Sequence, residues 1–209
     1  GLAVKWGHVF TIPGLWVARH VFHMTGPMTQ ARNGDNGDVG EEFARLLLSI
    51  VIGLVAAAAW AIRDRHDAAR QWLGETTRVM LRYAIALGLV SYAIAKLVPM
   101  QFPPLSPFAL EQRFGELRPM SVLWQFMEYS RPYAFFGGAM ELVAVLLLCV
   151  RRTATLGAIV CLAVMSNVML LNYAYDVPVK LYATMIVVSA AVLALYDFPR
   201  LAALFLTNR

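Results

Sequence analysis

Long apolar runs, separated by short charged or proline-containing segments, dominate the pattern of this 209-residue chain. A membrane-spanning helix needs about 20 predominantly apolar residues, because the hydrocarbon core of a bilayer is about 30 Å thick. Several runs approach that length. The pattern therefore predicts an all-α, polytopic bundle of transmembrane helices, with spans at about residues 43–62, 79–97, 133–150, 153–172 and 178–195.

The composition favours a membrane protein over a soluble one. Hydrophobic residues make up 59% of the chain and charged residues 15%, whereas soluble domains average about 45–50% and about 25%. The net charge of +5 comes mostly from arginines between the apolar runs, where such residues act as topology signals. The sequence has no zinc-ligand spacing and no interleaving of aromatic with basic residues, so nucleic acid is not expected as a partner.

The sequence divides into an N-terminal part, residues 1–42, and a transmembrane bundle, residues 43–209. The N-terminal part is interpreted as an interfacial segment followed by a polar outer loop, since its apolar run contains Pro13 and is too short to span. Alternatively, this run is the end of a missing span, and the chain is a fragment of a longer protein. Residues 98–131 connect two spans, and their prolines and amphipathic pieces predict short helices that form a lid or a partner surface.

The distribution of arginine predicts the orientation of the helices. Positive charge is densest between the first two spans and recurs at Arg151 and Arg152, which marks these segments as cytoplasmic. The second span then runs outward and the third span runs inward. The C-terminal end of the second span and the N-terminal ends of the third and fifth spans are therefore expected in the outer half of the bilayer.

Two ionisable residues lie inside the predicted spans. A lysine costs roughly 2.5 kcal/mol or more at the centre of a membrane helix, and less where it reaches the headgroups. Lys96 lies near the outer end of the second span, so it is interpreted either as part of a polar pocket or as a headgroup anchor. Glu141, within the third span, either faces a cavity or partner charge or is a protonated hydrogen-bonding group. The two residues are candidates for one ion pair.

Further polar residues are expected in the same outer half of the bundle. Together they predict an outward-facing pocket in which Lys96 and Glu141 are the hypothetical catalytic residues. The ligand-binding candidates are Tyr92, Gln101, Asn167, Asn172, Asp176, Lys180 and Tyr182. Tyr92 precedes Lys96 by one helical turn, so their side chains share a face. No metal is expected, because His20 and His23 share a helix face without a third ligand nearby.

Three stretches of sequence resemble the DoxX family of bacterial membrane proteins, and more closely its larger uncharacterised members. The stretches are LRYAIALGLVSYAIAKL, FFGGAMELVAVLLL and RRTATLGAIVCLAVMSNVMLLNYAYDVPVKL, within residues 81–201. The resemblance implies a four-helix core, to which the apolar pattern adds at least one N-terminal span. It also implies the bacterial inner membrane, with the lipid bilayer and a membrane or periplasmic protein as partners.

Some DoxX members are subunits of a thiosulfate:quinone oxidoreductase, which makes a quinone the implied ligand. The Ala-Lys-Leu at residues 95–97 also resembles a lysine motif in the membrane domain of vitamin K-dependent carboxylases. In those enzymes the lysine acts as a base toward a quinol, and the analogy assigns that position to Lys96. The likeness does not extend to the carboxylase's lumenal domain, so carboxylation is not inferred.

Two functional hypotheses follow. In the first, the chain is a membrane subunit whose outward-facing polar pocket binds a quinone-like or small redox ligand. No resident cofactor is evident, because the sequence has no haem-ligand pair, iron–sulfur cysteine set or glycine-rich nucleotide loop, and a partner would supply electron transfer. In the alternative, the chain is a non-catalytic assembly or transport-related membrane subunit whose polar cluster only fixes helix packing. The sequence leaves open whether the protein is an enzyme.

Overall fold

The computed structural model describes residues 12–13, 15–17, 19–21, 23, 38, 40–63 and 67–203. Most of the predicted N-terminal segment and the end of the C-terminal tail lie outside these residues. The regular elements from residue 40 onward are all helical. They are α1 (Gly40–Arg63), α2 (Asp67–Leu97), α3 (Pro107–Glu111), a 3-10 turn (Phe114–Glu116), α4 (Pro119–Tyr129), α5 (Arg131–Cys149), α6 (Ala154–Ala174), α7 (Lys180–Tyr196) and α8 (Phe198–Ala202).

Within the described residues, four helices are long and apolar enough to cross a membrane. These segments are Glu42–Arg63, Ala69–Leu97, Arg131–Cys149 and Ala154–Ala174. The fifth predicted span corresponds to α7, a shorter apolar helix of 17 residues. The predicted fold class, an all-α polytopic bundle of transmembrane helices, is confirmed.

The chain forms two compact units, Gly1–Gln71 and Trp72–Arg209. In the first unit, α1 exposes most of its side chains, while Ala44 is buried beside Leu15. A helix that is hydrophobic on all sides is typical of a membrane span.

The second unit is a bundle in which α2, α5, α6 and α7 share one core. Helix α6 packs along both α5 and α7. Small residues let membrane helices approach closely, and alanines from three of the helices are fully buried at Ala144, Ala158 and Ala190. Larger side chains such as Leu89 and Leu148 fill the remaining space. The bundle core is therefore built mainly from small residues and larger aliphatic side chains.

The predicted helix breaks between the spans are confirmed. Helix α2 ends at Leu97, two residues before Pro99, because a proline disfavours helical backbone in the preceding residue. Helix α5 begins with a proline in its first turn, where the missing N–H is no loss. A tight turn at Arg151 and Arg152 leads into α6. Asp176 links α6 to α7 with φ at 51°, a left-handed conformation that Asp tolerates better than most residues.

The charged residues before the second span belong to the span's own helix. The sequence predicted that the second span begins at about residue 79, but α2 begins at Asp67 and is continuous over 31 residues. Its length is about 46 Å, well beyond the roughly 30 Å of a bilayer core. Within this extension, Arg78 forms an ion pair with Asp197 near the end of another helix.

Two arginines of α2 tie the ends of neighbouring helices together. Arg82 is buried, and its Nε and Nη2 donate to Leu148 O at 3.0 and 2.9 Å. Its Nη2 also lies 3.2 Å from Cys149 O. These bonds satisfy carbonyl groups at the C-terminus of α5, which the helix itself leaves unpaired. Arg78 forms an ion pair with Asp197, which also accepts a hydrogen bond from Thr155 Oγ1.

The connecting segment, residues 98–131, folds into the predicted short helices. Phe102, Leu123 and Met127 form a second core cluster with Ala134 and Val177. This cluster packs α4 against the start of α5 and the link between α6 and α7. The connecting segment therefore covers one end of the bundle.

Gly138 allows α5 to approach α2 closely. A Cβ atom at this position would lie 2.8 Å from the Cβ of Lys96 and 3.0 Å from Ala93 O. At the neighbouring Gly137 a Cβ would meet nothing within 4 Å. Of these two adjacent glycines, only Gly138 lies in close contact with α2.

We expect Gly138→Ala to destabilise the protein, because the added methyl group overlaps the backbone and side chain of α2. Overpacking of this kind costs about 1–3 kcal/mol. The matched control is Gly137→Ala, which should be neutral or stabilising by about 0.5–1 kcal/mol, because Ala favours the helix over Gly. The measurement is the free energy of unfolding in detergent micelles, followed by circular dichroism. Equal stability of the two variants would contradict the close contact.

Candidate functional site

An ion pair joins α2 to α5 inside the bundle. Lys96 Nζ donates a hydrogen bond to Glu141 Oε1, and the two side chains are only 6% and 1% exposed. The predicted ion pair is therefore confirmed. The alternative in which Lys96 serves only as a headgroup anchor is wrong, because its ammonium group is buried against the carboxylate.

A cavity of about 40 Å³ lies beside this ion pair. It is lined by six of the predicted site residues, contributed by four helices and the connecting segment. Its lining consists of Leu89, Tyr92, Lys96, Gln101, Trp124, Glu141, Met165, Val168, Asn172, Val177, Val179, Tyr182 and Ala183. We call this cavity the polar pocket. Residues that are distant along the chain thus meet at one place, as the sequence predicted.

Two tyrosines stack across the polar pocket. The ring centroids of Tyr92 on α2 and Tyr182 on α7 are 5.1 Å apart, and the planes are inclined by 21°. Gly88 makes room for Tyr182, since a Cβ at Gly88 would lie 2.5 Å from the tyrosine hydroxyl oxygen. The stacked rings therefore form an amphipathic wall with a hydroxyl group at each edge.

Two acceptor oxygens among the lining residues are buried without a donor. Within the described part of the chain, Glu141 Oε2 and Gln101 Oε1 accept no hydrogen bond. A buried acceptor left unpaired costs about 1–3 kcal/mol. By contrast, Asn172 Nδ2 donates to Val179 O at 3.5 Å. The unpaired oxygens show that the polar pocket is chemically suited to a ligand that donates hydrogen bonds.

Three predicted site residues do not line the polar pocket. Asn167 is exposed, because it lies five residues before Asn172 and so points about 140° away from it around the helix. Asp176 and Lys180 form a salt bridge with each other at 2.6 Å, and the Asp176 side chain is 82% exposed. This pair lies one turn apart across the start of α7, where i,i+4 charges meet. The prediction that these three residues line the same pocket was wrong.

Some residues of the site were missed from the sequence. Trp124 of α4 lines the polar pocket and contacts Phe102 edge-to-face at 5.3 Å between ring centroids. The amphipathic pattern of α4 indicated a helix against the membrane face, but not which side chain would reach the pocket. Met165 and the small residues Gly88 and Ala183 were missed too, because apolar residues in a membrane helix carry no distinguishing signal.

The dimensions of the polar pocket limit what it can hold. A water molecule needs roughly 10–15 Å³ of such volume, so 40 Å³ accommodates a few waters or one polar substituent. Pockets for drug-sized ligands measure about 300–1,000 Å³. Among the described residues there is no cluster of three or more His, Cys, Asp or Glu side chains that could hold a metal ion. The volume of the polar pocket therefore fits a hydroxyl-sized group but not a drug-sized ligand.

The apolar helices and the enclosed polar pocket define a multi-pass helical membrane protein. Over 124 residues the chain is 32% identical to the "Uncharacterized protein YwoB" of Bacillus subtilis (strain 168), in an alignment that covers 59% of this chain and 79% of YwoB. The chain belongs to the same family as YwoB. No family model matches the chain. No solved structure matches it either, and the DoxX resemblance stays a prediction.

We expect the ion pair to couple strongly in a double-mutant cycle. Lys96→Met or Glu141→Gln alone should cost about 3–5 kcal/mol, because each leaves its partner buried without a countercharge. The double variant should cost less than the sum of the two, and its helical content should be retained. The measurement is the unfolding free energy of all four proteins in mixed micelles.

The matched control is the Asp176–Lys180 pair, whose carboxylate is 82% exposed, tested as Lys180→Met, Asp176→Asn and their combination. A solvated i,i+4 salt bridge contributes about 0.3–0.5 kcal/mol, so this cycle should show little coupling. Additive effects at Lys96 and Glu141, no larger than those of the control pair, would contradict a buried salt bridge.

Proposed function

We propose that this protein is a multi-pass subunit of the bacterial inner membrane that binds the hydroxyl group of a quinone-like or other small redox ligand in its polar pocket. The observation that carries the proposal is the pair of buried acceptors, Glu141 Oε2 and Gln101 Oε1, which lack donors among the described residues. A reduced quinol carries O–H donors, whereas the oxidised quinone carries carbonyl acceptors. The site therefore favours the reduced ligand.

The ion pair assigns different roles to its two members. Lys96 donates to Glu141 Oε1, so its ammonium group compensates the carboxylate charge and fixes its orientation. The second carboxylate oxygen faces the proton of a bound hydroxyl group, which makes Glu141 the proton acceptor. The carboxylase resemblance assigns the role of base to Lys96. In this proposal Glu141 has that role instead. In this proposal a membrane or periplasmic partner protein carries out the electron transfer.

Entry of a whole quinol ring requires the connecting segment to move. The cavity of about 40 Å³ takes a hydroxyl group but not a six-membered ring. Gln101 and Trp124 close the pocket from the connecting segment, and both precede α5 in a region of short helices. Outward displacement of α4 would open the pocket toward the ring while leaving the ion pair in place. The connecting segment then acts as the predicted lid.

The bacterial inner membrane and DoxX membership are parts of the same proposal. YwoB is a bacterial protein, and the DoxX resemblance covers the helices that form the polar pocket. The distribution of positive charge among the loops supports a position of the pocket in the outer half of the bilayer. A periplasmic partner would meet the protein at the connecting segment.

A second candidate function is a non-catalytic assembly or transport-related subunit, in which the polar cluster only fixes helix packing. The specific observation in its favour is the contact of Gly138 with the Cβ of Lys96, one turn from Glu141. The ion pair then fixes the axial register of α2 against α5, as buried polar groups do in other helix assemblies. This candidate predicts no saturable ligand binding.

We expect a short-chain benzoquinol to quench the fluorescence of Trp124 in the purified protein in a saturable manner, and to bind at least about fivefold more tightly than the matching quinone. Gln101→Leu should weaken quinol binding by about fivefold to tenfold, the equivalent of one hydrogen bond of about 1–1.5 kcal/mol. The saturable quenching should be lost in Trp124→Phe, which would assign the quenched fluorescence to Trp124.

The matched control is Gln112→Leu, a glutamine of the same connecting segment that does not line the polar pocket. It should leave quinol affinity unchanged. Absence of saturable quenching would support the packing role instead. Equal affinities for quinol and quinone, or equal effects of the two glutamine substitutions, would count against the assignment of the buried acceptors.

A further inference from the structure

We propose that a second cavity, at the other end of the bundle, binds the phosphate headgroup of an anionic phospholipid. This cavity has a volume of about 340 Å³ and is lined by Glu75, Arg78, Val79, Arg82 and Arg151. We call it the arginine pocket. Its volume lies within the range of about 300–1,000 Å³ that is typical of small-molecule sites, and it is separate from the polar pocket.

The location of the arginine pocket fits the headgroup region of a bilayer. Arg82 precedes Lys96 by 14 positions in α2, which corresponds to about 21 Å along the helix. Its hydrogen bonds to Leu148 O and Cys149 O place it at the C-terminal end of α5. Arg151 lies in the turn that follows α5. Charged groups at the ends of membrane helices meet the lipid headgroups, so the pocket opens at the level of lipid phosphate.

The walls of the arginine pocket carry an excess of positive charge. Three arginines face one carboxylate, Glu75, although Asp197 offsets the charge of Arg78. Arginine binds phosphate well because its planar group presents several N–H donors at once. The protein holds Arg82 in place through Nε and Nη2, and among the described residues its Nη1 has no partner. That nitrogen and the exposed Arg151 supply the donors for a phosphate.

An apolar stripe on α2 distinguishes a lipid from a free phosphate. Val79 lines the pocket, and Tyr83 and Leu87 follow it at four-residue intervals, so the three side chains share one face of the helix. All three are substantially exposed. The stripe begins at the pocket and leads toward the middle of the span. A headgroup in the pocket therefore places its acyl chain along this stripe, and basic pockets between membrane helices are known to hold anionic lipid headgroups.

The test measures lipid binding to the purified 209-residue chain by native mass spectrometry, with dioleoyl phosphatidylglycerol as the probe and dioleoyl phosphatidylcholine as the neutral comparison. Phosphatidylglycerol should bind at least about fivefold more tightly, and Arg151→Gln should weaken its binding by about fivefold, the contribution of one arginine near an anionic lipid. Arg152→Gln is the matched control, since it removes an exposed arginine beside the pocket and should change affinity less than twofold.

A second variant tests the sign of the charge effect. Glu75→Gln removes the carboxylate of the pocket wall and should tighten phosphatidylglycerol binding by about fivefold, by the same electrostatic contribution. Circular dichroism of each variant confirms its fold. Equal binding of both lipids, equal losses in Arg151→Gln and Arg152→Gln, or weaker binding in Glu75→Gln would overturn the proposal. So would inorganic phosphate at millimolar concentration displacing the lipid, because the acyl chain would then contribute nothing.

Discussion

The salt bridge between Lys96 and Glu141 is the constraint on which the rest of the bundle depends. Removing two charges from water costs several kcal/mol for each, and close contact between them offsets that cost. Helices α2 and α5 must therefore meet at one level, and Gly138 permits this because it has no side chain to hold them apart. With that level fixed, Arg82 reaches the carbonyl groups that end α5. One buried ion pair and one buried arginine thus set both ends of the contact between these helices.

Hydropathy was enough to predict the number and order of the apolar helices. Apolar runs have the length of a bilayer, and prolines such as Pro99 and Pro132 mark the breaks between them. The extension of α2 back to Asp67 could not be predicted, because its charged residues resemble those of a solvent loop. Arg78 and Arg82 take part in tertiary contacts with Asp197 and the end of α5. A sequence shows that such residues are charged, but not which partner they meet.

The sequence identified those residues of the candidate site whose burial in a membrane is costly. Lysine and glutamate are expensive inside a membrane, so Lys96 and Glu141 stood out and were correctly paired. Asn167 and Asn172 are both asparagines in an apolar helix, but the helical period places them on different faces. Their five-residue spacing is therefore sufficient to predict that only one of them lines the pocket. Trp124 and Gly88 were out of reach, because their place in the site arises from the path of the connecting segment and the rotation of α7.

The functional proposal requires that Lys96 and Glu141 remain in contact when lipid surrounds the protein. Magic-angle-spinning NMR of the isotope-labelled chain in lipid bilayers tests this contact directly, and the few lysines in the sequence keep the Nζ signals resolvable. We predict a through-space correlation between Lys96 Nζ and the Glu141 side-chain carboxyl carbon, at about 3.5 Å for a direct hydrogen bond. Correlations of Lys96 Nζ with lipid phosphate and water, without one to Glu141, would contradict it.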